Sequence, residues 1–287
     1  MNSFSKIAAG LALSVGLALP ASAAVVQGIY FDENNTQEVD SGSFLQNLNT
    51  TTGELTGWGL VNSFNNNAIP ITPGFELTYS FNSFVLDNAQ SSLSRLVFTG
   101  GIVNIYSDNT PNFDIGNQAT AEDSSFATPF LTLQGHLFLD IFGTGGTGTI
   151  GSNLISGMFM LDVVGGAAAD YFDTNTIPDF LGGWADFLGN SSVVSYYPTG
   201  NVNDPSINAA TFAAQVAATA GLAGISINDT SVDVLAFFRN NMGLDNVVAT
   251  GSIDLRGEAQ AVPEPTPVAL ISLGLIGLAF ARRFRMK

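Results

Sequence analysis

Apolar and polar residues alternate along several short runs of the chain, and stretches rich in Gly, Asn, Asp and Ser separate those runs. The clearest run is 75–85, where Phe75, Leu77, Tyr79, Phe81 and Val85 are interleaved with Glu76, Thr78, Ser80 and Asn82. A period of two sends successive side chains to opposite faces, so this run predicts a strand with one buried and one wet face. Residues 131–141 repeat the pattern, with Leu131, Leu133, Leu137, Leu139 and Ile141 on one side and Thr132, Gln134, His136 and Asp140 on the other. Residues 247–255 do so again, with Val247, Ala249, Ile253 and Leu255 inward. Further strands are expected at 25–31, 58–61, 93–99, 102–106 and 153–164, with Gly100-Gly101 as a turn or bulge between two of them. Residues 32–57 read as loop with brief strand pieces.

Helical patterning is rarer. Asp204 can cap a helix with Pro205 at its first position and Gly221 past its end, and Phe212 and Val216 then share a face. Phe180, Leu181, Trp184, Phe187 and Leu188 also sit at helical spacing, although Gly182-Gly183 weakens that pattern. Residues 232–238 fit either type. Many alternating strands with polar loops and few helices predict a mainly β domain over 24–261. The expected architecture is an antiparallel β-sandwich, jelly-roll-like, with one or two short helices.

The two ends read differently from the middle. Lys6 precedes an apolar run over 7–19 that Pro20 breaks, and Ala21-Ser22-Ala23 forms an A-x-A cleavage site. This is the pattern of a secretory signal peptide over 1–23, cut by signal peptidase to leave Ala24 as the first mature residue. At the other end, 266–281 carries no charge. As a helix it spans roughly 24 Å, somewhat short of the ~30 Å hydrocarbon core, a deficit that bilayers meet by thinning locally. Arg282, Arg283, Arg285 and Lys287 follow at once and hold the C-terminus in the cytoplasm by the positive-inside rule. Pro263, Pro265 and Pro267 prevent the helix from starting earlier, because proline lacks a backbone N–H and clashes with the preceding turn.

Val262-Pro263-Glu264-Pro265, the apolar run and the basic cluster, in that order, resemble the PEP-CTERM sorting signal of Gram-negative bacteria. The resemblance implies a membrane-anchored precursor that exosortase, a multi-pass membrane cysteine protease, cuts near Pro-Glu-Pro. It implies release to the outer surface or the medium, and a partner among exopolysaccharides, since such proteins often accompany exopolysaccharide systems. It covers only the tail and assigns nothing to the domain before it.

Between the two ends, three arginines (Arg95, Arg239, Arg256) face 23 acidic residues, a net charge of −20 with no lysine. This excludes phosphate-backbone binding, which requires a basic surface, so no nucleic-acid partner is expected. The charge favours solubility after release and suits divalent cations. The absence of cysteine removes disulfides, thiolate metal sites and thiol nucleophiles.

Candidate chemistry is sparse. His136 is the one histidine, and no Gly-x-Ser-x-Gly elbow accompanies it. One histidine and no cysteine give too few ligands for an ordinary zinc site, and no cofactor is expected beyond calcium. Asp108, Asn109, Asn112, Asp114 and Asn117 offer hard oxygens in one loop, as do Asp170, Asp173 and Asn175. Asp108, Asn112 and Asp114 are the calcium candidates, although Asp and Asn commonly serve turns instead. Trp58 and Trp184, with Tyr196 and Tyr197, are candidates for stacking on sugars. A pair of carboxylates for glycoside hydrolysis needs only proximity, which no local motif singles out. The reading is an exported, exosortase-processed, non-enzymatic surface or matrix protein associated with exopolysaccharide or biofilm. The alternatives are a carbohydrate- or calcium-binding module and a secreted glycan hydrolase.

Overall fold

The computed structural model describes residues 24–31, 35–64, 67–68, 74–136, 146–150, 155–179 and 182–262. The signal peptide with Ala21 and Ala23 lies outside the described residues, as do Pro263, Glu264, Pro265, the apolar run and Arg282, Arg283, Arg285 and Lys287. So do 137–141, 153–154, Phe180 and Leu181. Among the described residues no helix is long and apolar enough to cross a membrane.

A hairpin opens the described chain, β1 (Ala24–Val26) with β2 (Ile29–Phe31). The strands β3 (Asn35–Asn49), β4 (Glu54–Leu60), β5 (Ser63–Phe64), β6 (Asn67–Ala68), β7 (Glu76–Leu86) and β8 (Arg95–Asp108) follow. Next come β9 (Leu131–Gly135), β10 (Gly146–Ile150) and β11 (Ile155–Gly165). A second small hairpin, β12 (Ile177–Pro178) with β13 (Trp184–Ala185), precedes β14 (Phe187–Tyr197), β15 (Ile207–Asn208) and β16 (Asn246–Ala259). Four helices are described, Gln118–Ala121, Ala169–Phe172, Ala209–Leu222 and Val234–Met242.

The long strands pair antiparallel around a ring in the order β3, β4, β7, β8, β9, β11, β14, β16, and β16 returns to β3 along its whole length, from Asn246↔Asn49 to Ala259↔Asn35. The result is one closed barrel of eight strands. The expected sandwich is thereby corrected. A sandwich needs two sheets with free edges, whereas here the first and last long strands pair and the ring of eight described strands closes on itself. One position in the ring is shared end to end: β8 and β11 hold β9 between Ile102–Ile105 and Leu161–Gly165, and hold β10 between Arg95–Phe98 and Ile155–Met158.

Three irregularities in the ladder decide which side chains face inward. In β3, Gly42 and Ser43 together oppose Ser252, so Val39 and Ser41 point inward before the bulge and Phe44 and Leu48 after it. In β7, Ser83 adopts φ 61° where the pairing with β4 shifts. Phe84 and Leu86 are consequently buried and Val85 is exposed, the reverse of the sequence expectation for Val85. In β14, Val194 is skipped between Val193 and Ser195, which turns both Val193 and Tyr196 inward and leaves Val194 outside. Each extra residue flips the two-residue parity of everything that follows it.

The same bulges explain other departures from the pattern. The stretch 32–57, expected as loop, contains the 15-residue strand β3, whose apolar spacing Val39, Phe44, Leu48 fits no single period. Gly100 and Gly101 do not separate two strands; both take positive φ within the continuous strand β8. The spacing of Trp184, Phe187 and Leu188 forms no helix, because β13 and β14 occupy it. The helix placed after Asp204 begins at Ala209, capped by Asn208 through Thr211 N–H at 2.8 Å, and Gly221 lies in its last turn. Residues 232–238 resolve as helix, capped by Asp233 and stopped by Gly243 at φ 69°.

Both mouths of the barrel are plugged. At the end holding Asn49, Glu54, Arg95, Tyr197 and Asn246, helices Ala209–Leu222 and Val234–Met242 close over the opening. Phe212 stacks on Tyr196 at 4.0 Å between centroids and meets Phe238 at 6.4 Å. The Arg239 guanidinium donates to the Thr50 carbonyl and Ser94 Oγ donates to Asn228 at 2.7 Å, tying this cap to the strand turns. At the other end, which holds Asn35, Asp108, Leu131 and Ala259, Phe31 packs 4.9 Å from Phe172 and 5.1 Å from Tyr171, and Phe172 stacks on Phe187 at 5.8 Å.

Inside the wall, aromatic rings of one strand lie over glycines of the next: Phe81 over Gly57, Tyr79 over Gly59, Phe84 over Gly101, Phe159 over Gly189 and Phe187 over Gly257. A Cβ at Gly57 would fall 2.3 Å from the Phe81 ring and 2.4 Å from the Leu45 carbonyl oxygen, an atom the sheet holds in place. Gly57→Ala is therefore expected to cost about 1–3 kcal/mol. Urea unfolding of variant and wild type measures it, and an unchanged midpoint would contradict this packing.

Candidate functional site

The interior of the barrel holds a partly open cavity of about 140 Å³. Its two sides differ. Strands β7 and β8 contribute Tyr79, Phe81, Phe84 and Phe98, whereas β11, β14 and β16 contribute Gly157, Ser191, Val193 and Ala249. These small residues, set among the larger Phe159, Leu161 and Tyr196 of the same strands, leave space opposite the aromatic wall. Among the described residues no Asp, Glu, His, Lys or Arg lines it. Its polar groups include the carboxamide of Gln46 and the hydroxyls of Ser41 and Ser191. Tyr79 Oη donates to Ser41 Oγ at 2.9 Å. Burial pushes the Tyr79 phenol far above its ordinary range, and the Ser41 hydrogen bond offsets this only in part. Burial raises Tyr196 likewise, and its hydroxyl is buried with no hydrogen-bond partner. Both phenols stay protonated at neutral pH, so the chamber is an uncharged, mostly apolar container.

A second site lies on the outer wall. His136 follows β9, Asp162 projects outward from β11, and Asp179 sits in the turn between β12 and β13. The imidazole Nδ1 is 2.6 Å from Asp162 Oδ2 and Nε2 is 3.1 Å from Asp179 Oδ2. Burial alone would lower the His136 pKa, but the hydrogen bonds and charges of Asp162 and Asp179 outweigh it and hold the pKa above the ordinary value. Both nitrogens face carboxylate oxygens, an arrangement that favours the doubly protonated ring, and neither is left to activate a serine. The sequence placed His136 on a solvated face. The clamp escaped notice because its acids come from 26 and 43 residues away.

The loop carrying Asp179 is anchored by Asp186, another residue that sequence reading passed over. Its carboxylate, 1 % exposed, accepts from the backbone N–H groups of Val163 at 2.8 Å, Thr174 at 2.7 Å and Asn175 at 2.6 Å. The signal that could have found it is an acid lodged between Ala185 and Phe187, both buried.

The calcium candidates are engaged in local structure. Asp108, buried, accepts from Thr110 N–H at 3.1 Å and from the Ser125 hydroxyl. Asn112 donates from its side chain to Asp123 at 3.1 Å, and its backbone N–H goes to Glu76 at 2.9 Å. Asp114 accepts from Gly116 N–H at 2.9 Å. Among the described residues no group of three or more His, Asp or Glu side chains is arranged to hold a metal ion. Of the sugar candidates, Trp58 is half-buried and donates its indole N–H to the Ile115 carbonyl at 2.9 Å, pinning that loop to the barrel. Tyr196 is inside the barrel and Tyr197 is half-buried, while Trp184 stands 54 % exposed on β13. Asp40 and Asp254 bring two acids together as cross-strand partners on the outer wall. Partial burial, then the charge and hydrogen bond of Asp40, raise the Asp254 pKa.

The fold and these sites define a closed, acidic β-barrel with an uncharged interior. Its tail supplies the assignment: residues 261–283 match the PEP-CTERM protein-sorting motif. The chain thus carries the sorting signal of an exosortase substrate and is exported and processed through it. No curated protein and no solved structure matches the chain.

The His136 clamp predicts a pH dependence of stability. A histidine pKa raised on folding gives a contribution that is complete below the unfolded value of about 6.5 and is lost as pH rises through the folded value. Denaturant titrations across neutral pH are expected to show stability falling as pH rises in that window. His136→Gln should flatten the profile there. An identical slope in the variant would contradict the charged clamp.

Proposed function

We propose that the barrel is the working form of an exported, non-enzymatic surface or extracellular-matrix protein, released by exosortase and associated with exopolysaccharide or biofilm. One observation carries this reading: both expected cuts fall at the borders of the folded domain. Ala24, the expected first mature residue, begins β1 and is buried. At the other border, β16 ends at Ala259, and Gln260 fastens the exit. Its backbone N–H donates to the Tyr171 carbonyl at 2.8 Å, and its side chain donates to the carbonyls of Asp170 and Asp173, each at 3.0 Å. The sorting motif begins one residue later, at 261. Cutting near Pro263–Pro265 removes no part of the barrel, so the domain survives release intact.

Geometry also supports an orientation before release. Gln260 and the β1–β2 hairpin both pack on the Tyr171–Phe172 segment, so the tail leaves from the aromatic-plugged mouth. The mouth capped by the two longer helices then faces away from the membrane. A non-catalytic role accords with a chamber whose lining, among the described residues, holds no Asp, Glu, His, Lys or Arg, and with a histidine whose two nitrogens both face carboxylates. A second reading, glycan binding, rests on the exposed Trp184 ring alone.

The test is the intact mass and location of the protein in its host, with and without exosortase. The expected result is an external form that starts at Ala24 and ends near Pro263–Pro265, with the uncut precursor held in the membrane when exosortase is deleted. A form that keeps Lys287 in both strains would overturn the release. Unchanged matrix composition and cell aggregation after deletion of the gene would overturn the matrix role.

A further inference from the structure

We propose that the barrel interior is a binding site for one neutral, mostly apolar small molecule about the size of a substituted aromatic ring, bearing a hydroxyl or carbonyl. Eight strands give an interior that is either just filled by side chains or holds one small ligand. Here the ring is not filled. The inward positions of β11, β14 and β16 include the small residues Gly157, Ser191, Val193 and Ala249, set among the larger Phe159, Leu161 and Tyr196, opposite the aromatic wall of β7 and β8. The resulting cavity of about 140 Å³ is close to the roughly 150 Å³ engineered apolar cavity that takes up benzene.

The lining sets the chemical class. Among the described residues no cation faces the space, so a carboxylate or phosphate head there would be buried unpaired, at a cost that those contacts do not offset. The domain's charge of −20 opposes anions further. What the chamber offers is apolar surface and a few neutral hydrogen-bonding groups, the pattern of small-molecule sites. Gln46 lines the chamber from β3, and its carboxamide can both donate and accept. On another level, Ser41 and Ser191 flank Ile253 as its register partners on the two neighbouring strands, which sets them roughly 10 Å apart across the wall. The ligand's polar group meets Gln46, and its apolar body lies against Phe81, Phe84 and Phe98.

The experiment uses the processed protein isolated from its exporting host and follows binding by calorimetry and by the rise in unfolding temperature that a native-state ligand causes. The probes are benzyl alcohol, toluene and benzoate. Saturable one-to-one binding of benzyl alcohol and toluene, with benzoate silent, is expected. Ala249→Phe, which fills the small side of the chamber, should abolish both. Gln46→Leu should weaken benzyl alcohol about five- to tenfold, the worth of one hydrogen bond, and leave toluene unchanged. If Ala249→Phe does not fold, the contrast between the two neutral probes on Gln46→Leu decides alone. Absence of saturable binding, binding undiminished in Ala249→Phe, or benzoate bound as well as benzyl alcohol would each overturn the proposal. Equal loss of both neutral probes in Gln46→Leu would overturn the role of the carboxamide.

Discussion

A sheet of eight strands has two edges, and each edge presents a row of unpaired N–H and C=O groups ready to join any strand they meet. In this chain the edges would be β3 and β16, and they pair with each other from one mouth of the barrel to the other. The constraint is severe. An exported chain without cysteine has no disulfide to staple its ends together, so the last long strand must find the first through backbone pairing and the core behind it. Closure fixes the remaining features: which faces are inside, that an interior exists, and that both chain ends leave at one mouth.

Closing so small a ring around large aromatics needs room, and the glycines provide it. A ring on one strand leans over a glycine on the next at five places around the wall. Small inward residues such as Gly157, Ser191 and Ala249, interspersed among larger ones on the strands facing the aromatics of β7 and β8, leave the space of the chamber. The two mouths are sealed by different means. Aromatic stacking from two helices closes one, and a cluster around Phe31, Phe172 and Phe187 closes the other. Among the described residues no Asp, Glu, His, Lys or Arg lines the chamber, and the outer wall accommodates charge through devices such as the Asp162–His136–Asp179 clamp.

Much of the wall was legible in the sequence because a buried face with a two-residue period writes itself directly into the side chains. Residues 75–81 and 247–255 read correctly as strands with Leu77, Tyr79, Ala249 and Leu255 inside. The reading failed where a bulge changed parity. Val85 went to the wrong face, and β3 was missed because its apolar residues obey one parity before Gly42-Ser43 and the other after it. Barrel and sandwich share their alternation, so only the pairing of distant strands distinguishes them. The sorting tail was legible for the opposite reason: its information is local, three features in a fixed order. The chamber and the clamp are assembled from residues far apart in sequence, and no local pattern announces either.

The closure of the ring is the claim on which the account depends, and the natural absence of cysteine makes it directly measurable. Two double variants suffice, Asp40→Cys with Asp254→Cys across the β3–β16 seam, and Ser156→Cys with Ser192→Cys across the β11–β14 seam. A closed barrel predicts that each pair oxidises within a monomer to near completion, because directly opposed residues on neighbouring strands lie within disulfide reach. One pair forming while the other stays reduced under the same oxidant would mean that the sheet is open at that seam, and the enclosed chamber would disappear with it.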